Sequence, residues 1–188
     1  MMFGTDDISL ILRAVKFSAD KHRKQRRKGI EELPYINHPI AVAETLWRVG
    51  EVRDLAVIIA GLLHDTVEDT DTTPAEIETL FGGQIRALVE EVTDDKSLEK
   101  AVRKRLQIEH APHLSKGAKQ IKLADKIANI YDVAFAPPPD WQHERRVEYL
   151  SWADQVVAGL RGCNARLEEN YDTVMKSARM KLDEERAA

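Results

Sequence analysis

The chain has 188 residues, enough for one ordinary domain with one core, and its 43% hydrophobic and 32% charged content suits a globular protein. Its 28 Lys and Arg against 32 Asp and Glu give a net charge of −4, which disfavours a strongly basic nucleic-acid binder but not a local basic patch. Cys163 is the one cysteine, which excludes an intrachain disulfide and a cysteine-based zinc site and leads us to expect a reducing, cytoplasmic compartment. The acidic start lacks the basic and apolar segments of a signal peptide. No apolar run reaches about 18 residues, so no membrane partner is expected.

Helical spacing dominates from the first turn. Ile8, Ile11, Leu12, Val15 and Ala19 form an amphipathic stripe with Thr5 as its expected N-cap, ended by a basic stretch from Lys21 to Lys28 and Gly29. Asn37 or His38 is expected to cap a second helix with Pro39 in its first turn and Gly50 as its stop. From Asp54 to about Asp65 the run is apolar on all sides, which fits a buried helix. Periodicity alone would also allow a buried strand; length and helical neighbours favour the helix. Thr73, Pro74 and Glu76 form a capping box for a helix ending near Phe81 and Gly82. Ile85, Leu88, Val89 and Val92 stripe the next, and Ser97 is expected to cap another that stops before Pro112. A long helix through Ala118, Ile121, Ala124, Ile127 and Tyr131 carries Asp125 and Asn129 on one face. Three prolines at 137–139 force a loop. Leu150, Ala153, Val157 and Leu160 stripe a penultimate helix ended by Gly162, and Asn164 caps a terminal helix expected to fray into a charged tail. Sustained alternation and hairpin dipeptides are absent, so the expected class is all-α, a bundle of roughly eight to ten helices.

The chemistry concentrates in His64-Asp65-Thr66-Val67-Glu68-Asp69, directly after the most apolar segment. Polar groups at the end of a buried helix are costly unless paired or ion-bound. An imidazole nitrogen with a hard carboxylate oxygen suits manganese, iron, zinc or a similar divalent ion. Two further donors are within the pattern: His38 at a Pro-flanked helix start, and Asp125 inside an otherwise apolar stripe. Alone, His38 could be a cap and Asp125 a buried salt-bridge partner. Together they give the order His…His-Asp…Asp. His110, His113 and His143 lie in charged or proline-rich surroundings and are read as solvated, while His22 in the basic stretch stays open. Tyr35 and Trp47 are read as core packing.

The stretches His-Arg-Lys-Gln-Arg-Arg-Lys (22–28), Pro-Tyr-Ile-Asn-His-Pro (34–39), Leu-Leu-His-Asp-Thr-Val-Glu-Asp-Thr (62–70), Val-Glu-Glu-Val-Thr-Asp-Asp-Lys (89–96), Arg-Lys-Arg-Leu-Gln (103–107) and Lys-Leu-Ala-Asp-Lys (122–126) carry a resemblance. With Asn129 and Glu-Tyr (148–149), they make the chain resemble HD-domain phosphohydrolases of the RelA/SpoT hydrolase type, in particular the stand-alone small alarmone hydrolases. The proline-rich loop and the C-terminal tail depart from the pattern, away from these motifs. The resemblance implies one HD-type hydrolase domain over 1–188, with a core at about 5–180. It also implies one divalent ion, usually Mn2+, on His38, His64, Asp65 and Asp125, and Glu68 and Asp69 as the catalytic pair. A base beside an ion is what phosphoryl hydrolysis requires. The pair read alone could be a solvated acidic turn, but the following helix has its own cap.

By the same resemblance, Arg27, Lys28, Asn129 and Tyr149 would bind the nucleotide, with Arg27 either stacking on a purine or clamping a phosphate. The implied reaction is hydrolysis of the 3′-pyrophosphate of ppGpp or pppGpp to GDP or GTP and pyrophosphate. At this length the chain is expected to lack a synthetase domain. The partner is a small nucleotide, not a nucleic acid; the oligomeric state is left open. Other purine substrates, such as an adenosine alarmone or NADPH at its 2′-phosphate, and a nucleotide-sensing HD module without turnover, are the alternatives.

Overall fold

A computed structural model describes residues 4–187. Residues 1–3, within the acidic start, and Ala188, the end of the expected 1–188 span, lie outside the described residues. Every regular element is helical; the described residues contain no strand, only one antiparallel bridge between Arg26 and Pro34.

The first stripe forms α1 (Thr5–His22). Its cap is Gly4 rather than Thr5, because Asp7 turns back to accept the Gly4 N–H (2.9 Å) and winds Thr5 into the first turn. The loop that follows is closed by the Arg27 N–H donating to the Leu33 carbonyl (2.8 Å). α2 (Asn37–Glu44) continues into a π-helical turn, Thr45–Val49. Its cap is Ile36, not Asn37 or His38, since the Asn37 N–H already bonds the Pro34 carbonyl (3.1 Å). Gly50 ends that turn with right-handed φ, so the left-handed stop expected there is not used. Glycine is required instead by contact: a Cβ would come within 2.9 Å of Leu167 Cγ.

The all-apolar run is α3 (Leu55–Leu63), capped by Asp54 accepting from the Ala56 N–H (2.9 Å). A short turn, α4 (Thr66–Asp69), follows at once. α5 (Pro74–Phe81) is capped by Thr73, but the reciprocal half of the capping box is replaced by a bond from Lys21 Nζ to the Glu76 carboxylate (3.1 Å). α6 (Gly83–Val92) starts after Gly82 at φ 94°. α7 (Lys100–His110) is capped at Glu99, not Ser97, whose hydroxyl donates to Asp95 (2.6 Å) instead. After a 3-10 turn at Ala111–His113 come α8 (Lys116–Phe135), α9 (His143–Leu160) and α10 (Ala165–Ala187). Asn164 caps α10 through its Oδ1, which accepts from the Arg166 and Leu167 N–H groups. The expected fraying does not occur among the described residues: Leu182 is buried and Glu185 accepts from the buried Arg146 (2.6 Å).

The buried apolar residues form one cluster, with α8 at its centre against α2, α3, α6, α9 and α10. Burying α3 on all sides fixes where it ends. Gly61 lets the π-helical turn after α2 approach, since a Cβ there would meet Leu46 Cδ1 at 2.8 Å. The C-terminal end of α3 thus faces the start of α2 and the middle of α8, where His38, His64, Asp65 and Asp125 lie.

Candidate metal centre and adjoining cleft

Four donors converge at that junction. His38 Nε2 lies 3.1 Å from Asp125 Oδ1 and 3.6 Å from Asp65 Oδ2, while His64 Nε2 lies 3.2 Å from Asp65 Oδ2 and 3.7 Å from Asp125 Oδ1. His64 Nδ1 donates to the Gly61 carbonyl (2.8 Å), which fixes the ring and turns Nε2 inward. That Nε2 is buried with no partner in hydrogen-bond geometry. His38, His64 and Asp65 offer donor atoms all within 4.8 Å of one another, with Asp125 closing the other side.

Electrostatics describe a site that demands positive charge. Burial works against a charged His64, yet Asp65 and Asp125 outweigh it and raise its pKa to about 10. Burial lowers that of His38, only partly opposed by Asp125 and Asp65. Both aspartates are held below the usual carboxylate range despite burial: Asp65 by His64 and His38, Asp125 foremost by Lys126. An unpaired buried imidazole nitrogen beside ionised carboxylates fits a divalent cation of borderline to hard character.

Glu68 and Asp69 stand on the next turn, held by the Asp69 N–H bonding the Asp65 carbonyl (2.8 Å). Glu68 accepts from the Asp94 N–H (2.9 Å), with Lys96 Nζ at 3.4 Å and Arg103 at 3.9 Å. Burial, then the charges of Asp94 and Asp65, raise the Glu68 carboxyl above its ordinary value, although the Asp94 amide and Lys96 oppose the shift. Asp69 pairs with Lys96 and accepts from the Tyr35 hydroxyl (3.2 Å). Lys126, buried beside Asp125 at 3.1 Å, lies 4.6 Å from the centre of the Trp152 ring.

From this cluster a cleft of about 320 Å³ opens between the 26–29 loop, α8 and α9, lined by Arg27, Lys28, Asn129, Trp141 and Tyr149. Arg27 donates through Nε and Nη2 to Asp132 Oδ2 (3.0 and 2.6 Å) and through Nη2 to Asn129 Oδ1 (2.8 Å). Asn129 in turn donates to Asp125 Oδ1 (2.6 Å), joining the cleft to the donor cluster. Lys28 is exposed at the mouth. Tyr149 packs between Trp141 and Trp152, and burial raises its hydroxyl to about 12. A wider cleft with Lys100, Arg103 and Lys104 adjoins it.

The structure thus gathers His38, His64, Asp65, Asp125, Glu68 and Asp69 at one cluster and places Arg27, Lys28, Asn129 and Tyr149 along the cleft beside it. It adds Tyr35, Lys96, Lys126 and Asp132, to which the sequence alone assigns no site role. Tyr35 is not simple packing, since its hydroxyl also donates to Asp65 Oδ2 (2.7 Å). Asp132 carried a legible signal, seven residues after Asp125 on the same helical face. His22, left open, is buried and stacks on Tyr35.

A family model described as HD domain matches residues 14–167. The guanosine-3′,5′-bis(diphosphate) 3′-pyrophosphohydrolase MESH1 of Xenopus tropicalis is 55% identical over 168 residues, covering 89% of this chain and 94% of its own. The Homo sapiens protein of that name is 57% identical over 166 residues, with 88% and 93% covered. A solved structure, described as a metazoan ortholog of SpoT that hydrolyzes ppGpp and plays a role in starvation responses, aligns with a TM-score of 0.89 at 46% identity, over 94% of this chain and 98% of that one. No helix among the described residues is long and apolar enough to cross a membrane.

Proposed function

The chain belongs to the HD-domain family, and on that premise we propose that it is a hydrolase that removes the 3′-pyrophosphate of ppGpp or pppGpp, releasing GDP or GTP and pyrophosphate. One observation carries this reading: the His38–His64–Asp65–Asp125 cluster has a raised-pKa carboxylate, Glu68, on its edge and opens into a cationic, aromatic cleft. The reaction named for the relatives above supports it. HD-domain hydrolases depend on divalent metal, and we assign the four donors to one ion, Mn2+, within one HD-type domain spanning the chain. When bound, the ion supplies positive charge to the phosphoryl oxygens and makes nearby water more acidic.

The chain's own groups do the rest. Glu68 accepts the proton of the attacking water as its oxygen bonds to the phosphorus attached to the 3′ oxygen. The bond from phosphorus to the 3′ oxygen breaks, the P–O–P linkage of the pyrophosphate stays intact, and the proton accepted by Glu68 is returned to the departing 3′ oxygen. Its raised pKa lets Glu68 hold that proton in the transition state. Asp69 orients the water, and Lys96 balances both carboxylates. Arg27, Asn129 and Tyr149 bind the nucleoside and Lys28 meets its phosphates. Anion-exchange chromatography of ppGpp after incubation with protein and Mn2+, then with chelator, tests this. GDP with intact pyrophosphate, and no turnover after chelation, is expected. Orthophosphate as the sole phosphorus product, or equal rates after chelation, refutes the reading.

A further inference from the structure

We propose that Tyr35 is a positioning residue for this hydrolysis, its one hydroxyl holding Asp65 and Asp69 in register while His22, at the end of α1, stacks on its ring and Gln25, just beyond, holds the Asp69 main chain. The inference rests on the reading of Asp65 as a ligand and Asp69 as a catalytic carboxylate. The hydroxyl donates to Asp65 Oδ2 at 2.7 Å and reaches Asp69 Oδ2 at 3.2 Å. Asp65 Oδ2 is also the carboxylate oxygen 3.2 Å from His64 Nε2. The phenol's single proton is shared between the two carboxylates, nearer to Asp65, and offsets the repulsion that would otherwise move them apart.

The ring is held by two neighbours. His22 stacks on it at 4.7 Å with the planes 29° apart, and the Arg27 guanidinium is 5.5 Å from its centroid. Gln25 Nε2 donates to the Asp69 main-chain carbonyl (2.6 Å), which leaves Gln25 Oε1 as the acceptor facing His22 Nδ1 (2.7 Å). Nδ1 therefore carries the hydrogen, and His22 Nε2 is buried without a partner. A phenylalanine would stack there without that cost, so the reason for histidine is the Nδ1 bond that sets the Gln25 amide. Asp69 is thus held at its carboxylate by Tyr35 and at its carbonyl by Gln25.

Tyr35→Phe keeps the ring and its stacking and removes only the hydroxyl. With saturating Mn2+, kcat for ppGpp should fall about 10- to 100-fold with KM within about twofold, and Mn2+ affinity of chelator-stripped protein, read by calorimetry, should weaken about tenfold. Tyr35→Phe should slow Asp69→Asn by a smaller factor than it slows the wild type, because only the hold on Asp65 is left to lose. Gln25→Ala should lower kcat and leave Mn2+ affinity unchanged, and it carries the test if thermal melts show Tyr35→Phe unfolded. Wild-type kcat in folded Tyr35→Phe, or in Gln25→Ala should Tyr35→Phe not fold, overturns the proposal, as does additive slowing in the double variant. If Asp69→Asn itself turns over normally, the catalytic reading has failed; if it is slow while Tyr35→Phe is normal, only the positioning role has.

Discussion

Arg27→Lys should raise KM almost as much as Arg27→Ala, although it keeps the charge. Nη2 of Arg27, which both two-point edges of a guanidinium need, is already taken by Asp132 and Asn129, and Nε by Asp132. Single N–H donors on Nη1 and the planar face remain for the cleft, and the face is the part that stacks on a purine. Stacking of one base contributes about 1–3 kcal/mol, or roughly 5- to 150-fold in KM, with kcat little changed. Lysine cannot supply the plane. Stability should change little, because Asp132 is 41% exposed at its side chain and regains water. Asp132→Asn, which loosens the plane without removing it, should raise KM by a smaller factor. The assay is steady-state kinetics on ppGpp at two ionic strengths. Full recovery of KM by lysine, or a salt dependence that flattens by about one charge in Arg27→Ala, would mean that Arg27 grips phosphate and that the reasoning from its occupied edge is wrong.

His64→Ala should bind little Mn2+ and lose activity together with the rise in Tm that metal gives the wild type, because binding to the native state stabilises it; metal analysis and melts with and without Mn2+ check this. Glu68→Gln with Asp69→Asn should keep fold and metal while turnover falls by at least about 10²-fold; normal hydrolysis would make these carboxylates surface groups. Burial, then the Asp94 and Asp65 charges, raise the Glu68 pKa above 4.5, so its contribution to stability is complete below that value and is lost as pH rises through the folded pKa. Glu68→Gln should therefore raise the Tm of metal-free protein at about pH 7.5 but not at about pH 4, and an equal change at both would contradict the assignment.

The helices were readable because most are set by burial. α3 is apolar on every side and α6 keeps its stripe at Ile85, Leu88, Val89 and Val92. Caps were less readable, since several residues compete for each. At α1 the Asp7 carboxylate engages the Gly4 N–H one residue ahead of Thr5, and near α7 Asp95 holds Ser97 away from the helix start. Gly50 was placed correctly for the wrong reason, since nothing local shows that Leu167, more than a hundred residues away, presses on it.

The same division runs through the site. His38, His64 and Asp125 stand out in the sequence because each is a polar residue in an apolar setting, where burial without a partner is costly. Lys96 is hidden by its own neighbours: in a run of Asp94, Asp95 and Lys96, a charge beside charges has no local signature, and only folding shows that it pairs with Glu68 and Asp69. Tyr35 is hidden differently. A buried tyrosine and a core aromatic look the same in sequence, and what separates them is the partner of one oxygen. Those partners, Asp65 and Asp69, lie 30 and 34 residues further along the chain and reach the hydroxyl because α3 ends where α2 begins. A site residue is therefore legible when its own burial is anomalous, and illegible when only its partner makes it functional.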